Sequence, residues 1–188
     1  MKILVIDDKK ENRVAAREKF AEHEITTIGS YDKAIRLINR EVDPYDVYMA
    51  LGRHWNGIGI NCDSAFMFKE KELKPKFDFD IVLVDLMMPA SDYSMGDNRE
   101  HSRRESMPYG FPLMIKIAMK HSKRVKAIAI VSDVNHHNHA MSATLDDLGG
   151  NISMNGVCCM FINAFNSEDG SKLWDYALKD ISSMIEKE

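Results

Sequence analysis

Acidic and polar side chains follow four of the short apolar segments in this sequence. They are Asp7, Asp8, Asp85, Ser132 and Asn163. If the apolar segments are parallel strands of one sheet, their carboxyl ends meet at one edge, where folds of this type bind ligands. Three carboxylates at such an edge would repel one another, so they would either raise their own pKa values or recruit a hard cation.

The chemistry suggested by such a cluster is metal-assisted phosphoryl transfer. Oxygen ligands that leave room for water and phosphate oxygens suit Mg²⁺. A carboxylate beside the bound ion can attack a phosphoryl group and form an aspartyl phosphate. The ion neutralises oxygens of the transferring group, so the protein has mainly to position the reactants and to balance charge.

The segments that carry these residues alternate between strand and helix patterns. Strands are expected at residues 2–6, 24–28, 80–85, 125–131 and 156–162, and helices at about 9–22, 31–38, 112–121, 141–148 and 168–186. Five apolar strands alternating with helices predict an α/β fold with a parallel central sheet.

Two irregular stretches interrupt this alternation, at about 41–77 and 90–110, and both contain several Gly and Pro residues. Because regular elements resume after each stretch, we expect both to be insertions in a single domain that spans residues 1–188. Loops of this length are usually functional or mobile. No second domain is expected after the last helix.

The composition is that of an ordinary globular protein and excludes several classes of function. Twenty-five basic and 29 acidic residues leave a net charge of −4, which gives no general attraction to DNA or to an anionic membrane. No signal peptide or membrane span is recognisable. The three cysteines, Cys62, Cys158 and Cys159, form no CxxC motif, so a reduced cytoplasmic setting is expected.

Three segments of the sequence resemble the receiver domains of two-component response regulators. They are residues 3–8 with Asn12 after them, residues 80–89, and residues 127–132. The Asp-Asp pair and the later Asp-Leu-Met-Met-Pro run each end an apolar strand, and together they are quite specific. The resemblance implies a flavodoxin-like, doubly wound sheet of five parallel strands in the order 2-1-3-4-5, with enlarged loops.

The resemblance also implies roles for individual residues. Asp7, Asp8 and Asp85 would hold Mg²⁺ together with the backbone carbonyl of Met87, and Asp85 would accept the phosphoryl group. Ser132 would be the hydroxyl residue that hydrogen-bonds that group.

A stand-alone receiver of this kind would take part in phosphorelay signal transduction. Its phosphoryl group would come from a histidine kinase or a phosphotransfer protein, and it would signal through contacts with a downstream protein. No DNA or membrane partner is expected. We also expect no enzymatic activity beyond self-phosphorylation and dephosphorylation.

The last strand departs from the family pattern. The family usually has a lysine at the end of strand five, followed by Pro-Phe, where this sequence has Asn163, Ala164 and Phe165. Asparagine donates a hydrogen bond but carries no positive charge, and Met160 occupies the position of the aromatic switch residue. A cation from elsewhere could substitute, and the candidates are Arg99, Arg103, Arg104 and Lys123.

Two other functions stay open on the sequence alone. The first is a pseudo-receiver that binds proteins or a small ligand without being phosphorylated, and Asn163 is its main support. The second is a metal-dependent hydrolase that uses the acidic pocket with His136, His137 and His139, which follow the fourth strand. Three histidines so close together could bind a transition metal, although loop histidines are more often solvated.

Overall fold

A computed structural model describes residues 1–41, 75–90, 108–132, 151–163 and 171–185. Within these ranges the strands are β1 (Lys2–Ile6), β2 (Glu24–Ile28), β3 (Ile81–Asp85), β4 (Ala127–Ser132), β5 (Asn151–Met154) and β6 (Val157–Asn163). The helices are α1 (Lys10–Lys19), α2 (Tyr31–Asn39), α3 (Gly110–His121) and α4 (Trp174–Ile185). The predicted helix at about 141–148 lies outside the described residues.

The chain divides into two compact units, one of residues 1–34 with 78–188 and the other of residues 35–77. All six described strands belong to the first unit. The described part of the second unit includes residues 35–41 and 75–77, where Arg40 Nε donates a hydrogen bond to the carbonyl of Pro75 at 3.5 Å. The expected single domain with insertions at about 41–77 and 90–110 stays a prediction, because most of both stretches lies outside the described ranges.

The strands form one sheet in the order β2-β1-β3-β4-β6-β5. The first five strands of that order are parallel, which confirms the predicted α/β fold and the order 2-1-3-4-5 with β6 as the fifth parallel strand. The predicted number of strands was too low by one, because β5 pairs antiparallel with β6 at the edge of the sheet. A single antiparallel edge strand on an otherwise parallel sheet is common in such folds.

The additional strand results from a tight turn at Asn155 and Gly156. Both residues have positive φ angles, 53° and 77°, which is the conformation of a two-residue type I′ hairpin turn. The side chain of Asn155 also donates hydrogen bonds to the carbonyl of Ala118 and to Ser122 Oγ, at 3.2 and 2.8 Å. The turn therefore connects β5 to β6 and is hydrogen-bonded to the end of α3.

The central strands β3 and β4 are buried along their whole length, as expected for parallel strands covered on both faces. On one face, apolar residues of the sheet pack against α1 and α4 in a common core that includes Phe20, Trp174, Ala177 and Ile181. The rings of Phe20 and Trp174 meet edge to face, with centroids 6.4 Å apart. This packing joins α1 to α4.

The sheet also determines where the candidate site residues lie. Asp7 follows β1 directly, Asp85 is the last residue of β3, and Ser132 ends β4 in register with Asn163 of β6. All four therefore lie along the carboxyl edge of the first unit's sheet. In the ranges that the structure describes, no helix is long and apolar enough to cross a membrane.

Candidate acidic site at the carboxyl edge of the sheet

Three carboxylates converge at this edge. One oxygen from each of Asp7, Asp8 and Asp85 lies within 4.8 Å of the other two. Asp7 and Asp85 are buried and Asp8 is half-buried. The structure thus brings together the acidic residues that the sequence analysis selected.

A buried ammonium group lies between two of these carboxylates. Lys172 Nζ donates to Asp7 Oδ2 at 2.8 Å and to Asp85 Oδ1 at 2.5 Å, and the residue is only 2% exposed. Lys172 lies outside the six strands of the sheet, two residues before the start of α4. This lysine was not among the cations expected from the sequence, and it places a positive charge against Asp85.

The local structure after β1 holds Asp7 in one orientation. Asp7 Oδ1 accepts a hydrogen bond from the backbone N–H of Lys9 at 2.9 Å, and Asp7 Oδ2 accepts one from Asn12 Nδ2 at 3.0 Å. Arg13 Nη1 donates to the carbonyls of Asp7 and Asp8, both at 2.7 Å. Charged and polar groups from the first turn of α1 therefore fix both the backbone and the carboxylate at this position.

Asp8 carries a buried oxygen that no described group satisfies. Its Oδ1 has no hydrogen-bond partner among the residues that the structure describes. Burial and, after it, the neighbouring carboxylate of Asp7 raise the pKa of Asp8. An unpartnered oxygen within an all-oxygen donor set fits a hard divalent cation such as Mg²⁺, whose charge would satisfy it.

The end of β3 is fixed by close packing against the start of α3. The backbone N–H of Gly110 donates to the carbonyl of Leu86 at 3.0 Å. A Cβ atom at Gly110 would lie 2.5 Å from the carbonyl oxygen of Asp85, so only glycine fits without a backbone shift. Met87 is half-buried just beyond this contact, and the role of its carbonyl as a metal ligand stays a prediction.

The carboxylates and the ammonium of the site shift one another's pKa values. Burial raises the pKa of Asp85 to about 7, the ammonium of Lys172 opposes this rise, and the carboxylate of Asp7 adds to it. Burial alone would lower the pKa of Lys172, but the carboxylates of Asp85 and Asp7 outweigh burial and raise it. Lys172 therefore stays charged near neutral pH, where Asp85 changes its charge.

Some of the other candidate residues from the sequence lie in the described part of the chain and some lie outside it. Ser132 is buried at the end of β4, whereas Met160 is buried in the core of β6. The backbone of Asn163 ends β6, and Lys123 is exposed after α3. The side chain of Asn163 is outside the described part of the chain, as are Arg99, Arg103, Arg104, His136, His137 and His139.

No family model matches this chain, and no curated protein matches it. Among solved structures, the chain is similar to the crystal structure of the response regulator protein TrrA from Thermotoga maritima in complex with Mg(2+)-BeF. The sequences are 17% identical, and the alignment covers 98% of this chain and 97% of that chain with a TM-score of 0.42. The fold is assigned from this chain's own strand order, and that order fits the receiver domain expected from the motifs.

Proposed function

We propose that this protein is a response-regulator receiver that accepts a phosphoryl group on Asp85. Mg²⁺ would be held by Asp7, Asp8, Asp85 and the backbone carbonyl of Met87. The observation that carries the proposal is the buried ammonium of Lys172, which bridges Asp7 Oδ2 and Asp85 Oδ1 inside the acidic cluster.

The charge balance of the cluster supports a site that binds further charged groups. A purely structural ion pair is stable when buried charges are matched and hydrogen-bonded. Among the described residues, the ammonium of Lys172 faces three carboxylates, and Asp8 Oδ1 has no hydrogen-bond partner. Burying unmatched carboxylates is costly, so the arrangement suits an additional cation.

The residues of the chain would divide the chemistry among them. When bound, a divalent cation would offset the negative charge of the carboxylates and of the phosphoryl oxygens. Because Lys172 donates to Oδ1 of Asp85, we assign the attack on phosphorus to Oδ2. With a phosphohistidine donor, the Oδ2–P bond would form as the P–N bond breaks, and the bonding electron pair would remain on the imidazole nitrogen.

Three residues at the carboxyl edge of the sheet would hold the transferred group. The ammonium of Lys172 already contacts the acceptor carboxylate, and a charge-assisted hydrogen bond to a phosphoryl oxygen is within its chemistry. Ser132, buried at the end of the neighbouring strand β4, would donate a second hydrogen bond from its hydroxyl. Asn163 would contribute from the end of β6, in register with Ser132.

The position of Lys172 also bears on the alternative of a pseudo-receiver. That alternative rested on the missing positive charge at Asn163. Since Lys172 brings an ammonium to Asp85 from another segment, the site has the charge that phosphoryl transfer needs. The hydrolase alternative depends on His136, His137 and His139, and no observation within the described residues favours it.

The proposed partners follow from this chemistry. The phosphoryl donor would be a histidine kinase or a phosphotransfer protein, and the phosphorylated form would bind a downstream protein in the cytoplasm. The net charge of −4 supports a protein partner rather than DNA or an anionic membrane.

The proposal is tested by intact mass spectrometry. The protein is incubated with Mg²⁺ and acetyl phosphate, alongside Asp85→Asn and the control Asp175→Asn, which removes an exposed carboxylate on α4. We expect one hydroxylamine-labile phosphoryl adduct in the wild type and in Asp175→Asn, and none in Asp85→Asn. The proposal fails if saturating donor gives no adduct, or if the adduct persists in Asp85→Asn.

A further inference from the structure

Lys172 reaches Asp85 from a segment that lies outside the strands of the sheet. It belongs to a three-residue segment, residues 171–173, which precedes α4 and is here called the strap. A lysine on a strand would be placed by the sheet, but the strap must be held in place by other contacts. The position of its ammonium therefore depends on whatever fastens the strap to the rest of the first unit.

Asn12 of α1 fastens this segment and the adjoining Trp174 through both its side chain and its backbone. Asn12 Oδ1 accepts a hydrogen bond from the backbone N–H of Lys172 at 3.1 Å, and the carbonyl of Asn12 accepts one from Trp174 Nε1 at 2.9 Å. Asn12 Nδ2 donates to Asp7 Oδ2 at 3.0 Å, which is also an acceptor of the Lys172 ammonium. Asn12, Lys172 and Trp174 are all at most 2% exposed.

We propose that Asn12 is a positioning residue, which fixes the strap on α1 and thereby delivers the ammonium of Lys172 to Asp85. The amide oxygen of Asn12 accepts a hydrogen bond from the strap, and its amide nitrogen donates one to Asp7. The side chain therefore sets the distance between the strap and Asp7. Trp174 completes the anchor, since its ring packs on Phe20 and lies 5.6 Å from Lys172 Nζ.

The geometry requires an amide at this position. Aspartate would retain an acceptor for the Lys172 N–H but would place a second carboxylate against Asp7 Oδ2. Leucine has a similar size but would leave the buried N–H of Lys172 without a partner. Asparagine satisfies both neighbours at once, because it offers a donor and an acceptor on one short side chain.

The inference rests on the proposed function only where it concerns phosphoryl transfer. The placement of the ammonium can be measured separately, by acetylating amines and alkylating thiols in the intact protein and mapping the products by mass spectrometry. Lys172 reports on the strap, the exposed Lys19 reports on reagent activity, and the buried Cys159 reports on opening of the sheet.

In Asn12→Ala we expect acetylation of Lys172 to be at least about tenfold faster than in the wild type, because a buried hydrogen-bond partner is lost. Alkylation of Cys159 should stay as slow as in the wild type, and Asn151→Ala, at an exposed position of β5, should change neither rate. Unchanged protection of Lys172 would overturn the proposal. A parallel rise at Lys172 and Cys159 would also overturn it, since that pattern marks general destabilisation.

Trp174→Phe provides a second variant if Asn12→Ala does not fold. It keeps an aromatic ring against Phe20 but loses the N–H that donates to the carbonyl of Asn12. We expect a smaller, selective rise in the acetylation rate of Lys172. Equal protection of Lys172 in Trp174→Phe and in the wild type would count against Trp174 as part of the anchor.

The acetyl phosphate assay links this positioning to the chemistry. Asn12→Ala should form the Asp85 adduct at least about tenfold more slowly than the wild type, because the ammonium of Lys172 is no longer held at the acceptor. Wild-type speed in a variant whose Lys172 is exposed would overturn the role in phosphoryl transfer. Absence of any adduct in the wild type would refute the proposed function, while the labelling result would still decide the role of Asn12.

Discussion

Lys172 and Asp85 are the residues whose charges govern the behaviour of this site. Their contact is buried, and Asp7 shares the same ammonium. Removing one member of such a group leaves the others without compensation, which costs more than the group contributes as a whole. Substitutions at these positions should therefore affect stability as well as chemistry.

Lys172→Met should lower the free energy of unfolding at pH 7.5 by about 3–5 kcal/mol, because Asp7 and Asp85 lose their buried cation. The loss should be smaller at pH 5, where Asp85 can take up a proton instead of remaining charged. Urea denaturation measures both values. Lys19→Met removes only an exposed ion pair with Asp175 and should cost less than about 1 kcal/mol. Equal losses for the two variants would contradict a buried charge role for Lys172.

Binding of Mg²⁺ should strengthen as pH rises, and it should level off above pH 7. Protons compete with the metal for Asp85, because burial raises the pKa of this residue to about 7 and a protonated carboxyl cannot bind the metal. Below that pH, the affinity should fall by about tenfold for each unit. Isothermal titration calorimetry between pH 5.5 and 8 measures this profile. Asp85→Asn should flatten it, and a flat profile in the wild type would argue against Asp85 as a ligand.

At the scale of elements, the site depends on how α3 meets β3. Gly110 begins α3 directly against the backbone of Asp85 and Leu86. This contact leaves no room for a side chain, and it therefore fixes the position of the acceptor carboxylate through its main chain.

Gly110→Ala should reduce the free energy of unfolding by about 2 kcal/mol or more, because the new Cβ collides with backbone atoms that cannot rotate away. It should also slow formation of the Asp85 adduct. Urea denaturation and the acetyl phosphate assay measure the two effects.

Gly156→Ala is the matched control for this substitution. Its Cβ would meet no atom within 4 Å, so only the φ angle of +77° opposes it, at a cost of about 1 kcal/mol. Its adduct should form at the wild-type rate, because the hairpin turn lies away from β3. If both alanines slowed the adduct equally, close packing at Asp85 would not be the cause.

Four of the five parallel strands could be predicted from the sequence as apolar runs ended by a polar residue, and β2 as a short run rich in Ile and Thr. The extra strand β5 was missed because it has only four residues, two of them polar, and so is not an apolar run like the central strands. The Asn155-Gly156 pair was the available signal, since this dipeptide is typical of a type I′ hairpin turn.

At the scale of the whole molecule, the described groups of the acidic site all belong to the first compact unit. Asp7, Asp8 and Asp85 come from the framework strands, and Lys172 comes from the strap near the end of the chain. The described residues of the second unit, residues 35–41 and 75–77, contribute none of these groups.

The carboxylates of the site were predictable and its ammonium was not, for a physical reason. Asp7, Asp8 and Asp85 are placed by the ends of strands, and strand ends can be recognised from local apolar runs. Lys172 is held by a tertiary hydrogen bond to Asn12, and the separation of 160 positions between the two residues leaves no local pattern in the sequence. The sequence predicted a helix at about residues 168–186, but no local pattern indicated that Lys172 would reach the sheet edge.

The central claim is that Asp85 is the residue that receives the phosphoryl group, and chemical trapping of the adduct tests it most directly. Borohydride reduces an aspartyl phosphate to homoserine, which peptide sequencing by tandem mass spectrometry assigns to one position. After incubation with Mg²⁺ and acetyl phosphate, we predict homoserine at position 85 and unchanged aspartate at positions 7 and 8. Homoserine at another position, or intact aspartate at position 85 under saturating donor, would contradict the account.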